Sequence, residues 1–128
     1  MDAFKQAVES KDPAQLEAVL AEDVVFRSPA VHKPYEGKLA TSVVLRSVVR
    51  VFEEFRYTGT YEGPDGAVLV FEATVGGRQI QGADFVHANA DGLVDSLTVM
   101  IRPLSGLNAV VEAMGPMIEQ VMAELSPQ

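Results

Sequence analysis

The chain has 128 residues, no cysteine and a net charge of −8 from eighteen acidic and ten basic side chains. A single domain of this length buries a core without staples. The missing cysteines exclude disulfides and thiolate chemistry, and the negative charge opposes a phosphate backbone or an anionic membrane, so neither nucleic acid nor membrane is expected as a partner.

The opening MDAFKQAVESKD has no apolar signal core, and the most apolar stretch, residues 43–52, is interrupted by Arg46 and Arg50. A soluble cytoplasmic protein is the expectation. Residues 2–10 carry Phe4, Ala7 and Val8 at helical spacing. A second helix opens at Asp12, with Pro13 in its first position and Gln15 completing a box-like cap. Its stripe is Leu16, Val19 and Leu20, and Glu22-Asp23 is expected to end it. Residues 24–28 read as a short strand closed by Pro29, and SPAVHKPYEG as a loop across the end of a sheet. Residues 39–52 form a helix apolar over more than half its circumference, hence largely buried. FRYTGTYEG then reads as a strand whose register is open, because one residue more or less in the following loop sends Tyr57 and Tyr61 together to the other face.

The most informative stretch is residues 67–102, with AVLVFEATV, RQIQGADFVHA and LVDSLTVMIR separated by Gly76-Gly77 and by an Asn-Ala-Asp-Gly turn. A two-residue loop at Gly76-Gly77 sets Ala73 opposite Ile80, Phe71 opposite Gly82 and Leu69 opposite Asp84. Taking Asp91-Gly92 as the next loop sets Val86 against Leu97, Asp84 against Val99 and Gly82 against Ile101. One sheet face is therefore apolar with a single carboxylate, Asp84, at its centre, and Gly82 beside it leaves room for something to approach. The opposite face holds Val68, Val70, Phe85, Val94 and Met100 among polar residues, too apolar for free exposure; a homodimer through this outer face is expected, with cover by C-terminal helices as the competing explanation. Pro103 stops the last strand, and two helical pieces are expected around a break or kink at Gly115-Pro116, with Met114, Met117 and Met122 as core filler or lid.

The element order implies an α+β fold, one domain over residues 1–128, with a cone at 1–103 and a helical extension at 104–128. AEDVVFRSPAVHKPYEG and GADFVHANADGLVDSLTV resemble the nuclear transport factor 2 (NTF2)-like superfamily, in particular its SnoaL-like and ketosteroid-isomerase-like branch. That resemblance implies a curved antiparallel sheet wrapped around N-terminal helices, enclosing a conical cavity. It also implies a small-molecule enzyme of isomerase, cyclase or hydrolase type, acting without cofactor on an apolar carbonyl-bearing or polycyclic substrate. A non-catalytic ligand-binding or dimerisation module of the same fold is the alternative. Steroid isomerases place a tyrosine, an aspartate base and an aspartic acid in the cone. The last corresponds to Asp84, whereas Ser28 stands at the base position and Phe4 at the tyrosine position.

A carboxyl facing Leu69, Phe71 and Val99 loses hydration, so its pKa rises and it can donate to a ligand carbonyl, an arrangement for which ketosteroid isomerase is the standard worked case. The competing view is a structural acid satisfied by a backbone or tyrosine partner. Asp84 is the candidate acid and His32, in the loop at the expected mouth, its candidate partner. His87 shares the parity of Phe85 and is assigned to the outer face. The expected pocket wall is Phe4, Phe26, Ser28, Val44 and Val48, together with Leu69, Phe71, Gly82, Val86, Val99 and Ile101. Two distant histidines make no metal site, and no glycine loop opens a helix to hold phosphate.

Overall fold

The computed structural model describes residues 1–126; the last two residues of the expected C-terminal extension lie outside the described residues. Helices α1 (Asp2–Ser10) and α2 (Pro13–Ala18) lead into strand β1 (Leu20–Arg27), a two-residue strand β2 (Tyr35–Glu36) and helix α3 (Lys38–Val51). Strands β3 (Glu53–Glu62), β4 (Gly66–Val75), β5 (Arg78–Ala88) and β6 (Val94–Arg102) follow, then helix α4 (Leu104–Leu125). The sheet runs β2-β1-β6-β5-β4-β3. It is mixed rather than wholly antiparallel, since β1 lies parallel to β6.

Asp12 caps α2 by accepting from the Ala14 N–H at 2.9 Å, and Pro13 occupies the first turn, where no N–H is needed. The helix is shorter than its apolar stripe implies. Leu20 already belongs to β1, and Glu22-Asp23 lie inside that strand rather than ending the helix. Both are exposed between buried Leu20 and Val24, where β1 bulges away from β6. The prolyl loop contains β2, which pairs with Val25 and Phe26.

The central hairpins have the registers counted from Gly76-Gly77 and Asp91-Gly92: Leu69 faces Asp84, Phe71 faces Gly82, and Asp84 faces Val99. Near the β5–β6 turn, one extra residue in β6 breaks the alternation between His87 and Ala88. Val94 consequently turns inward and is only 2% exposed, so it belongs to the core and not to the outer face. In β3 a similar shift between Tyr57 and Gly59 sends Tyr57 to the concave face with Phe71 and leaves Tyr61 outside. The two tyrosines do not move together as strict alternation demands.

Helix α4 is continuous, with Pro116 inside it instead of a break. Pro116 and Glu112, the residue whose carbonyl would otherwise receive that N–H, are both exposed, so the lost hydrogen bond is not buried. Its inner side closes the open end of the cone, leaving the convex face uncovered by it; Phe85 and Met100 there are 39% and 56% exposed. Met114 faces the cavity and Met117 is partly buried, whereas Met122 points outward. Among the described residues no helix is long and apolar enough to cross a membrane.

Candidate functional site

The cone encloses a cavity of about 640 Å³. One wall is aromatic: Phe55 lies 5.9 Å from Phe52 in a parallel stack and 5.2 Å from Phe71. Tyr57 meets Phe55 edge-on at 4.9 Å, a contact that aims its phenol along the sheet toward β5. There the Tyr57 hydroxyl donates to Asp84 Oδ2 at 3.2 Å.

Asp84 is 8% exposed and borders the cavity. Burial lifts its carboxyl from 3.8 to about 7, while the Tyr57 hydrogen bond, which favours the ionised form, pulls the other way. Tyr57 is itself pushed far above the usual phenol range, first by burial and then by the neighbouring Asp84 charge, so it remains the donor. At neutral pH the carboxyl is thus divided between its acid and its carboxylate, and Oδ2 alone takes the tyrosine. The other oxygen has no hydrogen-bond partner among the described residues.

Phe4, Phe26, Ser28, Val44, Val48, Phe71, Val99 and Ile101 line the same cavity. Leu69, Gly82 and Val86 do not. Leu69 and Val86 are packed in the core, where strand partners and the helix layer leave no opening. Gly82 makes room for Phe71 and not for a ligand: a β-carbon there would stand 2.3 Å from the Phe71 ring edge. Ser28 accepts from the backbone N–H groups of Ala30 and Val31 at 3.2 and 3.1 Å, which ties its oxygen to the loop. His32 is exposed and does not line this cavity; it borders an adjoining groove that shares Ser28, Val99 and Ile101 with it, and among the described residues no hydrogen bond joins it to Asp84. His87 lies on the convex side, 2.5 Å from Asp95, which raises its imidazole pKa. No group of three or more His, Cys, Asp or Glu side chains able to hold a metal occurs among the described residues.

A tyrosine partner for Asp84 belongs to the competing structural-acid view; that it is Tyr57 depends on the β3 bulge, which leaves no mark in the alternation pattern. The α4 wall, Leu107, Val110, Val111, Met114 and Ile118, does leave one, because these residues recur at helical spacing along one side.

The SnoaL-like domain family matches residues 1–97. A steroid delta-isomerase from Pseudomonas aeruginosa is 37% identical, with a TM-score of 0.88 over 94% of this chain and 89% of that one. An uncharacterised protein with a cystatin-like fold from Silicibacter pomeroyi is 30% identical, with a TM-score of 0.90 over 97% of this chain and 88% of that one. An NTF2-like protein of unknown function from Mesorhizobium loti shares the fold at 17% identity, with a TM-score of 0.71 over 80% of this chain and 88% of that one. No curated protein matches the sequence. With a cone of this topology and a family match over most of its length, the chain belongs to the SnoaL-like domain family.

Proposed function

We propose that this protein binds a mostly apolar, carbonyl-bearing or polycyclic molecule in the cone and acts on it without a cofactor, as an isomerase, cyclase or hydrolase of the SnoaL-like type. The observation that carries this reading is the buried Asp84 carboxyl on an apolar wall, with one oxygen bonded to Tyr57 and the other without a partner among the described residues, its pKa lifted by burial to about 7. A carboxyl at that value offers a proton to a ligand carbonyl in one form and removes a neighbouring proton in the other. In this scheme Asp84 donates to the carbonyl oxygen, and Tyr57 holds the carboxyl in place and stabilises its ionised form once the proton has gone. The likeness to a steroid delta-isomerase supports the substrate class.

A second reading, a ligand-binding module without catalysis, is favoured by Ser28. This residue stands where a base is needed, and its oxygen is engaged by backbone N–H groups. The test is titration with a panel of steroid-like enones and polyketide-like quinones, followed by NMR and by absorbance of the ligand. Binding with turnover that is lost in Asp84→Asn supports the enzyme; binding without turnover selects the module. If no panel member perturbs Phe26, Asp84 or Val99, the cavity reading fails. For assembly, we propose a homodimer across the convex face, supported by the uncovered Phe85 and Met100.

A further inference from the structure

The charged side chains on the cavity wall are Asp84 inside and Glu9, Lys11 and Glu54, all exposed, at the mouth. Lys5 donates to Thr60 at 3.2 Å and lies over the Tyr57 ring, which lays α1 alongside β3 and brings the end of the helix and the start of the strand to one opening. None of the three mouth residues has an ion-pair partner among the described residues.

Among the described residues, Lys11 and Glu54 are also the two non-glycine residues with positive φ, at 59° and 53°. Lys11 ends α1, a position where glycine or asparagine is the usual occupant. Glu54 sits in the bulge where Glu53 pairs with Thr74 and Arg56 with Glu72, so that two residues oppose one. The left-handed position of such a bulge suits glycine, and any β-carbon there is strained. The fold draws nothing from the Glu54 side chain in return: it is exposed and makes no hydrogen bond among the described residues, only its backbone carbonyl accepting from Arg56. The bulge does aim that side chain at the cavity mouth, next to Phe55 on the wall.

We propose that Glu54 is a specificity residue: it accepts a hydrogen bond from a hydroxyl at the end of the ligand remote from the carbonyl held by Asp84. The preferred ligand is a hydroxy-ketone with an apolar body. Lys11 borders the same opening and can donate to that hydroxyl while the hydroxyl donates to Glu54. A remote ketone, which only accepts, leaves the Glu54 carboxylate without a donor. This inference rests on the cavity reading above and names the substrate within it.

The test uses two steroid-like enones that differ only in carrying a hydroxyl or a keto group at the remote end, with binding measured by calorimetry. Wild type is expected to prefer the hydroxyl compound by roughly tenfold, the value of one hydrogen bond to a charged acceptor at a wet site. Glu54→Gly should abolish that preference, leave the keto affinity unchanged and raise the melting temperature by ~3 °C through relief of the left-handed backbone. Glu54→Gln, which keeps the volume, should reduce the preference without the thermal gain. If both variants weaken the two ligands equally, Glu54 only shapes the mouth and the specificity role is overturned. An unchanged preference in the variants overturns it as well. If wild type binds neither compound, the cavity reading fails and this inference falls with it.

Discussion

Asp84→Asn keeps the outline of the side chain and an oxygen for Tyr57, and removes only the charge. In the folded chain burial holds this carboxyl at about 7, against 3.8 when it is free in water. Between those values the unfolded chain is ionised while the folded chain keeps the proton, so the folded state binds more protons and stability falls as pH rises. At ~1.36 kcal/mol per pH unit, wild type loses about 4 kcal/mol relative to the Asn variant between about pH 4 and about pH 7, and the difference is flat above that. The imidazole of His87, raised by its bond to Asp95, titrates in both proteins and cancels in the comparison. Urea denaturation of both proteins at half-unit steps across this range measures the difference directly. A gap that does not vary with pH, or an Asn variant less stable than wild type at about pH 8, would refute the reasoning and make Asp84 an ordinary structural acid.

Tyr57→Phe removes the hydrogen bond that favours the Asp84 carboxylate, so the carboxyl should titrate above its wild-type value in a ¹³C NMR titration; a downward move would contradict the assigned donor. Near pH 5, where Asp84 is neutral, the same variant should lose no more than about 1 kcal/mol in urea denaturation. Gly82→Ala places a β-carbon 2.3 Å from the Phe71 ring and 2.8 Å from the Met100 carbonyl. It should cost about 1–3 kcal/mol in thermal melts, as overpacking does, and a neutral result would mean that the ring is free to move. Light scattering at high micromolar concentration should return twice the chain mass, and Phe85→Glu on the convex face should return the monomer; a monomeric wild type rules the dimer out.

Much of this arrangement is legible in the amino-acid order because glycine pairs fix hairpin registers and alternation then fixes faces. Gly76-Gly77 suffices to put Asp84 opposite Leu69, and Asp91-Gly92 to put it opposite Val99, on the concave side. Bulges are where that reasoning stops. The extra residues in β1, β3 and β6 hide the start of β1, part Tyr57 from Tyr61 and turn Val94 inward, and each reverses parity without changing composition. Strand β2 makes only two pairs, too few to produce a periodic signal. Gly82 illustrates a different ambiguity. A glycine beside a carboxylate marks a close approach, but the partner is the cross-strand Phe71 ring, which sequence cannot tell apart from a ligand. His32 lies in a loop whose ends are held by the β1–β2 pairing, and its exposed position in the middle of that loop has no periodic signal.

The family match ends at residue 97, before β6 is complete and before α4 begins. That helix nonetheless supplies Val110, Met114 and Ile118 to the cavity, and at its far end Glu124 is gripped by both terminal nitrogens of Arg50 at 2.8 and 2.9 Å. Reactive group and pocket outline therefore reside in separate stretches of the chain. Changes along the inner side of α4 alter the pocket outline without altering the strand that carries Asp84, although Val110 packs with Phe71 and Ile80 and is tied to the sheet. A cone built this way behaves like a fixed socket with an exchangeable cover, and changes in ligand shape can be accommodated along one helix while the acid stays as it is.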